Sequence, residues 1–254
     1  MVGRPPFQNR LTMPFTFAHP AVILPIVYRW PVNSLVTGLV IGSLAPDFEY
    51  FVSLRLTSLG AHSIPGIFYF CLPVCTLMGV LWYFVVSWPL LQNSPVFIRS
   101  RFCRNLGAES LSFKFLLLYL VGAILGSFSH ILWDSFTHGS GYLVQHWPLL
   151  RAVWFRVPVY KILQHASTLL GLIGIIFCIY RMPRQETAGQ FSWSFWLTFA
   201  GLLLLTFSVI TLAFPIGFSF NALGNIIVRL ISASFLALIA VSLIFRRRPE
   251  LIDI

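Results

Sequence analysis

His130, Asp134 and His138 stand at successive four-residue steps in Gly-Ser-Phe-Ser-His-Ile-Leu-Trp-Asp-Ser-Phe-Thr-His-Gly, residues 126 to 139 of an otherwise apolar chain. On a helix, a step of four advances about 400°, so the three groups form one slightly drifting stripe on a single face. An imidazole, a carboxylate and a second imidazole at the end of an apolar helix must bind something or each other, because unpaired polar groups are expensive there. Neutral imidazoles and carboxylates are ligands of zinc, with manganese or iron as further options. Four more groups of the same kind precede them: His19, then Asp47 and Glu49 in Pro-Asp-Phe-Glu-Tyr, then His62.

These seven donors exceed one tetrahedral shell. His130 and Asp134, one turn apart, can share one ion. Asp47 and His62 would complete that shell, leaving His19, His138 and Glu49 for a second ion or as groups that orient the ligands. In such a centre the metal-bound water is the catalytic species, Glu49 is a candidate base, and His165 is a candidate outer partner. The cluster can instead be structural, with His and Asp paired across helices to fix packing, or it can mark a proton or cation route. A route should carry ionisable groups near the middle of spans, whereas these groups gather at one end.

The elements that must position these residues lie in a membrane. Of 254 residues, 57% are hydrophobic and 9% charged, and the mean hydropathy is +0.84; soluble domains carry about 25% charged residues. The net charge of +10 comes from basic residues placed between apolar runs, which read as topology signals and contacts to membrane lipids. No basic patch with interleaved aromatics points to nucleic acid. Cys71, Cys75, Cys103 and Cys178 lack Cys-x-x-Cys spacing and read as packing residues. Residues 1–12 have no apolar signal-peptide core and read as an N-terminal extension to a single helical domain, 13–254.

The fold class is all-α: a multi-pass helical membrane protein with about five full spans plus a short N-terminal re-entrant or interfacial hairpin. The hairpin comprises Ala21 to Trp30, too short to cross, and Ser34 to Ala45, whose Gly38 and Gly42 form a small-xxx-small face and which ends at Pro46. The spans are Ile64 to Leu91, Phe115 to Asp134, Tyr160 to Tyr180, Phe191 to Phe214 and Asn225 to Phe245. The segment Tyr142 to Val159, with His146, Trp147, Arg151, Trp154 and Arg156, has headgroup-level composition. Alternating the crossings puts Asp47, Glu49, His62, His130, Asp134, His138 and His165 on one face. Arg99, Arg101, Arg104, Lys114, Arg181, Arg184 and Arg246 to Arg248 fall on the other, against Arg55, Arg151, Arg156 and Lys161 on the site face, and the positive-inside rule makes that other face cytoplasmic.

Four stretches carry a resemblance: Met-Pro-Phe-Thr-Phe-Ala-His19-Pro, Gly-Ser-Leu-Ala-Pro-Asp47-Phe-Glu49-Tyr, His62-Ser63-Ile-Pro-Gly and Ser-His130-Ile-Leu-Trp-Asp134-Ser-Phe-Thr-His138-Gly. As a set, from about Met13 to the C-terminus, they closely resemble a bacterial membrane family known as a domain of unknown function. That family looks like the broader group of membrane-bound predicted metal-dependent hydrolases, with a leading His, a Leu-Pro-Asp-x-Asp element, a Thr-His-Ser element and a His-x-x-x-Asp element. Asp47 matches the first acid and Glu49 the second; His62-Ser63 matches the third element, with Ala61 in place of threonine; His130 and Asp134 match the fourth. The order is more remotely similar to the zinc ligands of bacterial phospholipase C, although no His-x-x-x-Glu partner follows His138. The resemblance implies a zinc-dependent hydrolase of an ester or phosphoester, lipid or envelope-associated, in the bacterial cytoplasmic membrane; the placement of the basic residues would open its site to the outer face. The alternative is a non-catalytic membrane protein whose His/Asp cluster binds metal for transport, sensing or structure.

Overall fold

The computed structural model describes residues 16–29, 33–102, 112–187, 189–215 and 222–246. The N-terminal extension 1–12, Trp30, Cys103, Arg104, Glu109, Arg247 and Arg248 lie outside the described residues. The architecture is helical, with a single two-stranded hairpin among the described residues. Among the described residues, six helices are long and apolar enough to cross a membrane. Five of them match the spans expected from the sequence: α4 (Ile64–Asn93), α6 (Phe113–Thr137), α7 (Val159–Arg181), α8 (Trp193–Ala213) and α9 (Ala222–Ile244).

The sixth comes from the second arm of the N-terminal hairpin. Helix α2 (Asn33–Leu44) does not stop the helical path at Pro46. The proline is taken into a tight 3₁₀ turn, Ala45–Asp47, where its missing N–H costs nothing, and α3 (Phe48–Ser53) continues the line. Asn33–Ser53 is therefore one apolar segment of 21 residues. Leu54, at φ 56°, ends it in the left-handed region, and Arg229 of α9 donates from Nε to the Leu54 carbonyl at 3.2 Å, a cation at a helix C-terminus.

The first arm opens with the 3₁₀ stretch Thr16–Ile23 and continues as α1 (Leu24–Arg29). It descends beside α7, Ala18 and Ala21 at Gly171 and Leu24 at Gly174. The second arm climbs back against α6, running parallel to it. Gly38 and Gly42 meet the backbone of Tyr119 and Ala123, while Gly122 and Gly126 meet that of Leu35, Leu39 and Ser43. A Cβ built on Gly42 or Gly126 would sit 2.3 Å from a carbonyl oxygen of the other helix, so only glycine permits this approach. Leu35 faces Gly122, more than two turns along α6 from its start at Phe113. The two arms thus turn back part-way along the bundle, and their free ends, His19 and Asp47, arrive together at one end of it.

The long α4 absorbs Pro73 and passes through two π turns, Ile67–Cys71 and Trp82–Val86. Tyr119 of α6 donates its hydroxyl to the Cys75 carbonyl of α4. Cys71 and Cys75 are buried beside Ala45, Ala61 and Ala123, as expected for packing residues. At the end away from His19, Arg101 donates to the Phe97 and Tyr180 carbonyls, and Arg99 to the Ser94 carbonyl and the Thr187 hydroxyl. These bonds tie α5 (Val96–Phe102) to the end of α7 and the loop beyond it. At the His19 end, the strands Val153–Trp154 and Val157–Pro158 pair through a turn at Phe155 and Arg156, both with positive φ. Trp147, Trp154 and Phe155 are exposed there.

Candidate metal centre

Three backbone devices deliver the donors. The N-terminal hairpin brings His19 and Asp47; the loop after α3 folds back and supplies His62; the last turns of α6 supply His130 and Asp134. His138 is not the third rung of the helical stripe. Helix α6 ends at Thr137, and His138 is its C-cap residue in extended conformation (φ −112°, ψ 139°), with its N–H on the Asp134 carbonyl. The chain turns away at once, and Gly141 then lies so close to the helix end that a Cβ there would sit 2.6 Å from the Ser135 carbonyl oxygen and 2.7 Å from that of Asp134. The His138 ring still folds back, Nδ1 lying 3.3 Å from Asp134 Oδ1.

At the heart of the cluster, two imidazole nitrogens and two carboxylate oxygens face one another. His62 Nε2 lies 3.3 Å from Asp47 Oδ1 and 3.6 Å from Asp134 Oδ2. His130 Nε2 lies 3.6 Å from Asp47 Oδ1 and 3.3 Å from Asp134 Oδ2. Zinc–ligand bonds of about 2.0 to 2.2 Å require tetrahedral edges 1.63 times as long, about 3.3 to 3.6 Å. Four of the six edges, those between an imidazole and a carboxylate, fall in that interval.

The remote ring atoms fix which nitrogen faces inward. His130 Nδ1 is 2.7 Å from the Ser43 carbonyl, which can only accept, so Nδ1 carries the proton. A neutral His130 would turn its Nε2 lone pair towards two carboxylates, which a cation between them would relieve; a protonated His130 would pair with them directly. His62 is held in the same way: Nδ1 is 2.7 Å from Glu49 Oε1. Glu49, fully buried, accepts from the Leu59 and Ala61 N–H groups at 2.7 and 3.0 Å on Oε2. Both Glu49 oxygens are thus occupied away from the centre. A carboxylate behind an imidazole is the usual outer partner of a metal-ligating histidine. Thr16 donates to Asp47 Oδ2 at 2.6 Å, leaving Oδ1 for the centre.

Burial makes the cluster demanding. His19, His130, Asp47 and Glu49 are buried. Among the described residues, both nitrogens of His19, His130 Nε2 and Asp134 Oδ1 have no hydrogen-bond partner. Buried polar atoms are normally satisfied, and a role in holding an ion is one recognised reason when they are not. His62, between the spans, is shifted upward: burial would lower its pKa, but the hydrogen bonds to Asp47 and Glu49 raise it to about 10. Two groups of donors have their ligating atoms within 4.8 Å of one another: His19, Asp47 and His130, and His62, His130 and Asp134.

Of the residues expected from the sequence, His19, Asp47, His62, His130, Asp134 and His138 converge, with Glu49 behind His62. His165 does not join them: it is exposed, because the register of α7 turns the neighbouring Gln164 inward. His146 is exposed as well and bonds within its own turn, Nδ1 to the Tyr142 carbonyl at 2.7 Å. Thr16 and Ser43 complete the surroundings of the donors, and sequence reasoning misses both. Thr16 precedes His19 by three residues in the same motif, which is the one signal that could find it; Ser43 acts through its backbone and leaves none.

No curated protein and no solved structure matches the chain. Nothing in these comparisons links it to metal-dependent hydrolases or to phospholipase C. The model of one family matches residues 13–243, nearly the whole length, and the chain therefore belongs to the family described as domain of unknown function DUF4184.

Proposed function

We propose that the His62, His130, Asp47 and Asp134 cluster binds a divalent ion, zinc by its donor set, and that the protein is a membrane-bound metal-dependent hydrolase of an ester or phosphoester. The observation that carries the metal assignment is the square of donor contacts at 3.3 to 3.6 Å around a His130 lone pair that has no hydrogen-bond partner. When bound, such an ion lowers the pKa of a coordinated water and polarises an ester or phosphoryl oxygen. The chain's own residues hold and orient the ligands: Glu49 fixes His62, Ser43 fixes His130, and Thr16 fixes Asp47.

The location of the cluster favours a lipid or envelope-associated substrate. It lies at the end of the bundle that carries the exposed aromatic hairpin Val153–Pro158, where headgroups are found. Arg99, Arg101, Lys114, Arg181, Arg184 and Arg246 lie at the other end, against Arg55, Arg151, Arg156 and Lys161 at this one, and by the positive-inside rule this excess favours the outer face of a bacterial cytoplasmic membrane for the cluster. One observation favours the alternative of a non-catalytic metal binder used for transport, sensing or structure: the four protein donors are as many as a tetrahedral shell takes, and closed shells are characteristic of structural zinc.

Metal analysis of the purified protein tests the assignment. Wild type should carry stoichiometric metal, His130→Ala and Asp134→Ala should lose it, and His165→Ala should keep it. A wild type without stoichiometric metal leaves the cluster structural and ends the hydrolase proposal. With metal present, turnover of phosphodiester and lipase substrates separates the hydrolase from the binder.

A further inference from the structure

Asp134 presents its two oxygens to two different sets of nitrogens. Oδ2 faces His62 and His130. Oδ1 faces His138 Nδ1 at 3.3 Å and His19 Nε2 at 3.6 Å, the same spacing as the edges of the first set. Asp134 Oδ1 and His19 Nε2 are both buried without a hydrogen-bond partner, in side chains that keep little access to solvent, His19 at 3% exposed and Asp134 at 9%. The four donors assigned to the first ion leave Asp134 Oδ1 and His138 unused, and His19, which also comes within 4.8 Å of the ligating atoms of Asp47 and His130, is not needed to fill that shell.

We infer that a second divalent ion is held by His19, His138 and Asp134 Oδ1, with the Asp134 carboxylate bridging the two ions. The inference rests on the metal assignment proposed above. Ring geometry sets the separation. His19 and His130 are stacked, centroids 3.7 Å apart and planes 15° from parallel, and each directs an Nε2 at a different oxygen of one carboxylate. An ion ligated by imidazole lies near the ring plane, so the ring separation is the least distance at which two ions held by these stacked rings would stand, reached when both nitrogens point the same way. That spacing matches the roughly 3.5 to 4 Å of two-metal centres. The second set differs from the first in number: three protein donors leave a coordination position open for solvent or substrate, as catalytic sites do. His138 owes its place in it to the early end of α6, since its extended backbone lets the ring fold back onto Asp134.

Titration of the metal-free full chain in nanodiscs with Mn²⁺ tests this, the bound metal being counted by elemental analysis and its coupling read by electron paramagnetic resonance. Wild type should bind two equivalents with the multiline signal of an exchange-coupled pair. His138→Ala should bind one and give an uncoupled six-line signal, and His138→Gln, which preserves more of the side-chain volume, should do the same. A wild type that binds one equivalent, lost in His130→Ala, overturns the second ion and leaves the first intact. Two equivalents without coupling overturn the bridge. No bound metal at all removes the assignment on which the inference stands. Thermal unfolding followed by circular dichroism identifies any variant that has lost its fold, and the count in His19→Ala then supplies an independent removal of the second ion.

Discussion

Replacing Gly126 by alanine should weaken metal binding although Gly126 touches no ligand. A Cβ there would lie 2.3 Å from the Leu39 carbonyl oxygen, 2.7 Å from the Ser43 nitrogen and 3.0 Å from the Gly42 carbonyl carbon. Ordinary contact begins at 3.4 Å, so α2 must move away from α6 by about 1 Å, since backbone in a packed interface has no softer response. Asp47 lies at the end of α2, and His130 and Asp134 lie on α6, so the shift divides the donor set between two separating helices. Sites of this kind tolerate about 0.5 Å of misplacement. The same shift pulls the Ser43 carbonyl away from His130 Nδ1, and loss of such an outer partner lowers affinity by about 10- to 100-fold. We expect at least a tenfold loss of zinc affinity, measured by competition with a chromogenic chelator, with an overpacking penalty of about 1 to 3 kcal/mol in stability. Gly201→Ala is the control: nothing lies within 4 Å of a Cβ at Gly201, and alanine is the better helix former by up to about 1 kcal/mol. An affinity for Gly126→Ala within about twofold of wild type would refute the claim that this helix contact sets the site.

Glu49→Gln keeps the size of the side chain but removes the charge behind His62, and zinc affinity should fall by about 10- to 100-fold in the same competition assay; an unchanged affinity would show that Glu49 only holds the loop through Leu59 and Ala61. The metal-free protein has a definite pH dependence through His62, whose pKa rises from 6.5 to about 10. A raised folded-state pKa contributes stability that is fully present below the unfolded value and is lost as pH rises through about 10. At pH 7 the metal-free His62 therefore carries a proton that an incoming ion must displace, so affinity should climb about tenfold per pH unit towards pH 10. Calorimetry in buffers of different ionisation enthalpy should detect this proton release at pH 7, and its absence would show that His62 is not a ligand.

Much of this protein is legible in the sequence because the signals are local. Apolar runs of span length mark the five long helices, and four-residue spacing puts His130 and Asp134 on one face of α6, a property of a single helix that needs no partner. Following alternate crossings brings Asp47, Glu49 and His62 to the same end. Where local signals mislead, a neighbour decides. Pro46 suggests a helix end, but a 3₁₀ turn carries the segment on to Ser53. The four-residue step suggests that His138 is on the stripe, yet the helix ends at Thr137 and leaves His138 as its extended cap, with Gly141 folded against the helix end where a Cβ has no room. His165 has the right face of the membrane but the wrong face of its helix.

Which atom meets which is decided by tertiary structure alone. Chemical type ranks Glu49 among the ligands, whereas the fold turns both of its oxygens to His62 and the backbone of Leu59 and Ala61. The same holds for Ser43, whose carbonyl selects the His130 tautomer, and for the stacking of His19 on His130. These relations depend on the lateral approach of α2 to α6 and on the depth to which the N-terminal hairpin inserts. Both are set by contact between segments far apart in the chain, such as Ser43 and His130. Residue spacing encodes direction along one helix; it carries no information about the distance to the next, which here is fixed by glycines that let two backbones touch.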